Sequence, residues 1–205
     1  MKIFILAAGE STRWKLDYPK HIAKIQNVPL IERTQKQLKG YDVTVVTTHL
    51  DVQKLSDKTL VPKARRWTVE TLLSTASYWD DRKTIILLGD VVYSPAAIKT
   101  ILKDDHAIRI FGNGKEIFAI SMKKQVYKKA VDTLWECVLR ALGERSSHKT
   151  KSEQVGKLWD FYRLYAGHKQ RKYLDDNFFT CINDYTEDID SVNDYNNLFN
   201  ITEND

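Results

Sequence analysis

Apolar and polar positions recur along this chain with two periods, and the switching between them predicts an α/β fold. Short apolar runs at 2–7, 43–48, 84–88, 107–111 and 116–121 have the length and texture of strands. Between and around them, 29–39, 50–57, 69–80 and 95–104 carry apolar residues at the three- and four-residue spacing of amphipathic helices. Strands alternating with helices predict a mostly parallel sheet with helices on both faces. Ile85-Ile86-Leu87-Leu88 is apolar throughout, as a central strand covered on both sides requires. Asn113-Gly114 between two apolar runs predicts a hairpin, and so an antiparallel pair beside the parallel core.

After residue 122 the pattern becomes helical. Val126, Ala130, Val131, Leu134, Val138 and Ala141 mark one amphipathic helix with Gly143 as its stop. A polar linker follows at Ser146 to Lys151. Val155, Leu158, Trp159, Tyr162, Tyr165 and Ala166 mark a second helix, closed by Gly167. The expected organisation is one domain over 1–205, with 123–175 as a helical subregion. No internal repeat or low-complexity tract interrupts it.

Composition narrows the class. The 205 residues suffice for one well-buried α/β domain. No run of eighteen apolar residues exists, so no membrane span is expected. The chain enters a strand without a basic leader and cleavable apolar region, and Cys137 and Cys181 have no metal-ligand spacing. Both features predict a cytoplasmic protein with reduced, partly buried thiols. The net charge of +5 is unevenly placed: 123–173 holds thirteen Lys or Arg against five acids, and 184–205 holds seven acids without Lys or Arg. Such segregation steers anions to one side and gathers carboxylates on the other. A solvated basic helix pair with an acidic tail is the plainer reading of the same numbers.

Candidate chemistry concentrates at the start of the chain. The strand Lys2–Leu6 runs into Ala7-Ala8-Gly9-Glu10-Ser11-Thr12-Arg13 and then reaches Pro19-Lys20. A strand ending in small residues exposes backbone N–H groups, a nest that favours phosphate. Arg13 adds a forked cation suited to phosphate oxygens, and Lys20 a compact charge. Neither G-x-x-x-x-G-K-[ST] nor G-x-G-x-x-G is present, so this is another kind of triphosphate pocket. Asp90, in Leu87-Leu88-Gly89-Asp90, sits where a central strand ends, on the edge where open α/β sheets bind ligands. As an alternative, it caps the helix near 95. Asp188-Ile189-Asp190-Ser191 places two carboxylates on one side of an extended segment, with Ser191 a candidate cap for a last helix.

These segments resemble the nucleotidyltransferase family of GT-A-like enzymes. Its signature, L-A-A-G-x-[SG]-x-R followed by P-K, is matched by Leu6-Ala7-Ala8-Gly9-Glu10-Ser11-Thr12-Arg13 and Pro19-Lys20, within about thirty continuous similar residues ending near Arg33. The resemblance implies a Rossmann-like, GT-A-type mixed sheet. It also implies a Mg²⁺-dependent transfer of a nucleotide from an NTP to a phosphorylated small molecule, with release of pyrophosphate. By that resemblance Leu6 to Arg13, Lys20, Thr71 and Asp90 contact the nucleotide, Asp90 and Asp190 ligate the metal with Asp188 beside it, and Arg13 and Lys20 are catalytic. Trp67 is a base-stacking or core residue. The short length and the Asp-Ile-Asp-Ser ending slightly favour a pyrimidine nucleotide, and the acceptor stays open among sugar, alcohol and methylerythritol phosphates. His21 reads as a loop or surface residue. Outward cations on the helical subregion, such as Lys157 and Arg163, are expected to serve the acceptor, and its apolar stripes to support a homo-oligomer. A GT-A glycosyltransferase is the alternative enzyme, disfavoured because Gly89-Asp90-Val91-Val92 lacks D-x-D. A nucleic-acid binder built on the basic helices, with Trp135, Trp159 and Tyr162, is disfavoured because those aromatics are expected on core faces.

Overall fold

The computed structural model describes residues 1–10, 13–146, 156–168 and 174–202. Its strands are β1 (Lys2–Leu6), β2 (Lys24–Ile25), β3 (Val28–Pro29), β4 (Asp42–Val46), β5 (Thr59–Leu60), β6 (Lys83–Leu88), β7 (Val91–Val92), β8 (Ile108–Gly112), β9 (Ile117–Lys123), β10 (Phe179–Cys181) and β11 (Glu187–Asp188). Its helices are α1 (Leu30–Gln37), α2 (Leu50–Lys54), α3 (Thr68–Leu73), α4 (Pro95–Lys103), α5 (Tyr127–Ser146), α6 (Leu158–Ala166) and α7 (Val192–Thr202).

Seven strands form one sheet in the order β10-β8-β9-β6-β1-β4-β5. β1 pairs in parallel with β4 and β6, while β9 runs antiparallel to both β6 and β8. The mostly parallel mixed sheet expected from the sequence is therefore present. The Asn113-Gly114 turn joins β8 to β9, with Asn113 Oδ1 accepting from the N–H groups of Lys115 and Glu116 at 2.9 Å each.

Alternation along β1 divides the core. Phe4 and Leu6 face Val46, Ile86, α3, α5 and α6 on one side. Ile3 and Ile5 face Val45, Ile85, Leu87 and the helices α1, α2 and α4 on the other. The helical subregion thus packs into one of the sheet's two core layers. A third, smaller cluster joins Trp14, Ile25 and Leu30 to Ile189 and Leu198 near the C-terminus. No described helix is long and apolar enough to cross a membrane.

Several boundaries differ from expectation. The helix foreseen over 69–80 ends at Leu73, because the hydroxyls of Ser74 and Thr75 bond the carbonyls of Glu70 and Leu72 at 3.0 and 2.7 Å and turn the chain. Gly143 does not stop α5, which continues to Ser146. Trp135 is not on a core face: it is 53% exposed, with Leu139 and Leu142 exposed on the same side of α5. Cys137 is buried as expected, but Cys181 is exposed.

Candidate active site

Two aspartates meet on one lysine at the carboxyl edge of the sheet. Lys20 Nζ lies 2.6 Å from Asp90 Oδ2 and 3.1 Å from Asp190 Oδ1, and Arg13 pairs with the other oxygen of Asp190. Residues seventy and one hundred and seventy positions from Lys20 are brought together by specific backbone contacts. Gly89 N–H donates to Leu6 carbonyl at 2.9 Å, which draws the end of β6 against the end of β1. Only glycine permits this approach, since a Cβ there would stand 2.8 Å from that carbonyl oxygen. Beneath it the buried phenol of Tyr93 donates to Phe118 carbonyl at 2.6 Å and accepts from Leu88 N–H at 3.0 Å, bracing the strand end. The C-terminal segment then adds itself alongside. β11 pairs antiparallel with β7, and Ile189 N–H donates to Asp90 carbonyl at 2.8 Å. Asp190 is thereby placed across from Asp90.

The alternative roles for these acids are not taken up. Ser94, not Asp90, caps α4, accepting from Ala97 N–H at 2.9 Å. Ser191 and Asp194 cap the start of α7 reciprocally, leaving the Asp190 carboxylate to the cations.

Electrostatics follow from this packing. Burial would lower the Lys20 ammonium, but Asp90 and Asp190 outweigh it, so its pKa is raised and it stays charged. Burial would raise the Asp90 carboxyl, yet Lys20 and then His21 hold it below the ordinary carboxylate range. Asp188, with no cation partner among the described residues, is pushed up to about 8 by burial and then by Asp190, Asp90 and Glu116. Two carboxylates a hundred positions apart in the chain, converging on one cation, are a hard-oxygen donor set. Such a set fits Mg²⁺, which takes one or two protein carboxylates and completes its shell with water and phosphate. Asp90 and Asp190 could hold it. Among the described residues no group of three or more His, Cys, Asp or Glu has metal-holding geometry.

Two cavities open on either side of these aspartates. The larger, about 860 Å³, is lined by Leu6, Ala8, Gly9, Glu10, Lys20, Thr71 and Asp90, and by the loop Pro62–Trp67. Ala7 N–H is used by Val46 carbonyl at 2.8 Å, so it is not available to a ligand, and the turn reaches the cavity through Ala8, Gly9 and Glu10. Ser11 and Thr12 lie outside the described residues. Thr71 is buried in the floor of this cleft, its hydroxyl 3.4 Å from Trp67 carbonyl. Trp67 is half-buried, and Gly156 lies so close to it that a Cβ there would stand 2.4 Å from its ring. Val69 N–H donates to Gly156 carbonyl at 3.2 Å, so the start of the second helical segment docks on the start of α3.

The smaller cavity, about 150 Å³, is lined by Arg13, Asp90, Asp188 and Asp190 together with Glu116, Lys157 and Trp159. Lys157 therefore lines the same cavity as Arg13 and the aspartates. Arg163 does not: it is 15% exposed and ion-paired with Asp160.

Sequence reasoning missed four residues here. His21 is 2% exposed rather than superficial, packed beside Gly89 and Asp90, and burial holds its imidazole neutral with a pKa near 4. His49, 5.9 Å from it ring to ring, lies 3.1 Å through Nε2 from Gly9 carbonyl and ties the turn after β1 to the end of β4. Glu116 and Trp159 reach the smaller cavity from the hairpin and from α6. Nothing in their local spacing marks them; only the Asn113-Gly114 turn signal points toward Glu116.

Comparison with known proteins decides the family. Residues 3–148 match the model of the MobA-like NTP transferase domain. The chain belongs to the MobA-like NTP transferase family. It is accordingly an enzyme of the nucleotidyl-transfer type. Among curated proteins none matches.

Solved structures share the fold at low identity. One, designated a glucose-1-phosphate thymidylyltransferase from Bacillus anthracis and crystallised with sucrose, aligns with a TM-score of 0.65 and 13% identity over 98% of this chain and 94% of that one. The inositol-1-phosphate CTP transferase of T. maritima aligns at 0.59 and 15% identity, covering 97% and 94%. HddC of Yersinia pseudotuberculosis, complexed with GMP-PN, aligns at 0.60 and 14% identity, covering 98% and 99%. The shared fold thus extends over 97–98% of the chain.

Proposed function

We propose that this NTP transferase is Mg²⁺-dependent and joins the nucleotidyl group of an NTP to a phosphorylated small molecule, releasing pyrophosphate. The observation that carries the reading is Lys20 clamped between Asp90 and Asp190 where the two cavities meet. The larger cavity suits the nucleotide, with the Ala8–Glu10 donors and Lys20 at its phosphate end. The smaller suits the acceptor, with Arg13 and Lys157 as phosphate-seeking cations. An acceptor phosphate oxygen attacks the α-phosphorus, the bond from that phosphorus to the β-bridging oxygen breaks, and pyrophosphate leaves. The attacking phosphate is already ionised, so no side chain need take a proton. Lys20 and Arg13 lower the repulsion between the two anions by offering fixed positive charge where negative charge accumulates. Mg²⁺, bound by Asp90 and Asp190, would supply further neutralisation of the triphosphate.

A pyrophosphate-release screen crossing four NTPs with sugar, polyol and amino-alcohol phosphates tests this reading. Release that requires both an NTP and one acceptor class is expected, with a slight preference for a pyrimidine nucleotide. Release independent of any acceptor would mark a pyrophosphohydrolase and contradict it.

The domain assignment of 1–205 and a homo-oligomer through 123–175 belong to the same proposal. The oligomer is supported by Trp135, Leu139 and Leu142, an exposed apolar stripe on α5. Sedimentation equilibrium should show self-association that Trp135→Glu abolishes; a monomer at all concentrations would refute it.

A further inference from the structure

Glu116 stands in the wall of the smaller cavity with no side-chain hydrogen bond or ion pair to any described residue. It is not there by laxity of the loop. Its N–H donates to Asn113 Oδ1 at 2.9 Å, and Asn113 Nδ2 donates in turn to both carboxylate oxygens of Glu187 at 3.1 Å. The hairpin tip is thus tied to β11, the strand that leads to Asp190. Trp159 makes the adjoining wall equally firm: its ring stacks on Phe179 at 5.8 Å, and its Nε1 donates to Lys115 carbonyl at 3.0 Å. Arg13 and Lys157 line the same cavity, so it offers two cations and, beside the aspartates, a carboxylate on a fixed backbone with no hydrogen-bond or ion-pair partner among the described residues. A carboxylate fixed in a partly dry wall without a donor is costly unless the donor arrives with the ligand. Burial pushes the Glu116 carboxyl above its ordinary range, with Lys157 pulling the other way.

Resting on the transferase reading above, we propose that Glu116 determines acceptor specificity. It binds a hydrogen-bond-donating group, a hydroxyl or an ammonium, at the end of the acceptor away from its phosphate. The cations take the acceptor phosphate, and a cavity of about 150 Å³ limits the acceptor to a small body. The acceptor class is therefore a short polyol phosphate or amino-alcohol phosphate, and not a bare alkyl phosphate.

The test uses the full chain with the NTP found active and three acceptors: glycerol phosphate, ethanolamine phosphate and ethyl phosphate. Wild-type kcat/KM should favour a donor-bearing acceptor over ethyl phosphate by at least about a hundredfold, since a site built around a hydrogen bond rejects the analogue lacking it. Glu116→Gln should raise KM for the favoured acceptor about tenfold while leaving KM for the NTP unchanged, which also reports that the variant is folded. If the favoured group is an ammonium the loss should be larger, because Gln keeps an acceptor oxygen but no charge. Equal use of all three acceptors, or unchanged selectivity in Glu116→Gln, overturns the inference alone. Transfer to no acceptor overturns the transferase reading and the inference with it.

Discussion

Replacing Lys20 with alanine should lower kcat by on the order of a hundredfold, with a smaller rise in KM for the NTP, as for loss of a preorganised charge worth roughly 3 kcal/mol. Three features give this substitution its weight. The ammonium is 7% exposed on its side chain, so no solvent cation replaces it readily. It touches Asp90 and Asp190 together, so its loss leaves two carboxylates facing each other. Its charge also lines the larger cavity, at the end where the proposed reaction places the departing pyrophosphate. Circular dichroism should show the fold retained, because none of the three apolar clusters includes Lys20. Turnover near that of the wild type would remove Lys20 from the reaction.

Asp90→Asn and Asp190→Asn should each cost more, on the order of a thousandfold in turnover, because either removes a charged oxygen from the proposed Mg²⁺ site. The amide keeps the shape of the side chain and its place beside Lys20, so the loss isolates charge from packing. The two variants should also need more Mg²⁺ for half-maximal rate, whereas Lys20→Ala should need no more than the wild type and so less than either aspartate variant. The reason lies in competition: Lys20 and a divalent cation both bind these carboxylates. A magnesium titration of the three variants checks the order. Unchanged magnesium dependence in both aspartate variants would place the metal elsewhere.

Much of the sheet and half of the site could be read from residue order alone. β1, β4, β6, β8 and β9 follow from apolar runs long enough to show a period, and the antiparallel β8–β9 pair follows from Asn113-Gly114. The two- and three-residue strands β2, β3, β5, β7, β10 and β11 were not legible, because they are shorter than any period and exist through their partners. β7 and β11 matter most among them, since their pairing sets Asp190 across from Asp90. Leu6 to Glu10, Arg13, Lys20, Thr71, Asp90 and Asp190 all line one or other cavity, apart from Ala7, whose N–H is consumed by Val46. His21 was misread because its burial depends on the bare Cα of Gly89, nearly seventy positions away. Glu116 was missed for a similar reason: a glutamate after a hairpin turn is usually solvated, and only tertiary packing against β11 and α6 turns it into a cavity wall.

The central claim, nucleotidyl transfer to a phosphorylated acceptor, is tested most directly by following the α-phosphate. With an NTP labelled at the α-position, Mg²⁺ and an acceptor from the active class, the label should appear in a nucleotide-linked acceptor, one pyrophosphate being released for each product formed. Label found only in nucleoside monophosphate, at a rate indifferent to the acceptor, would contradict it.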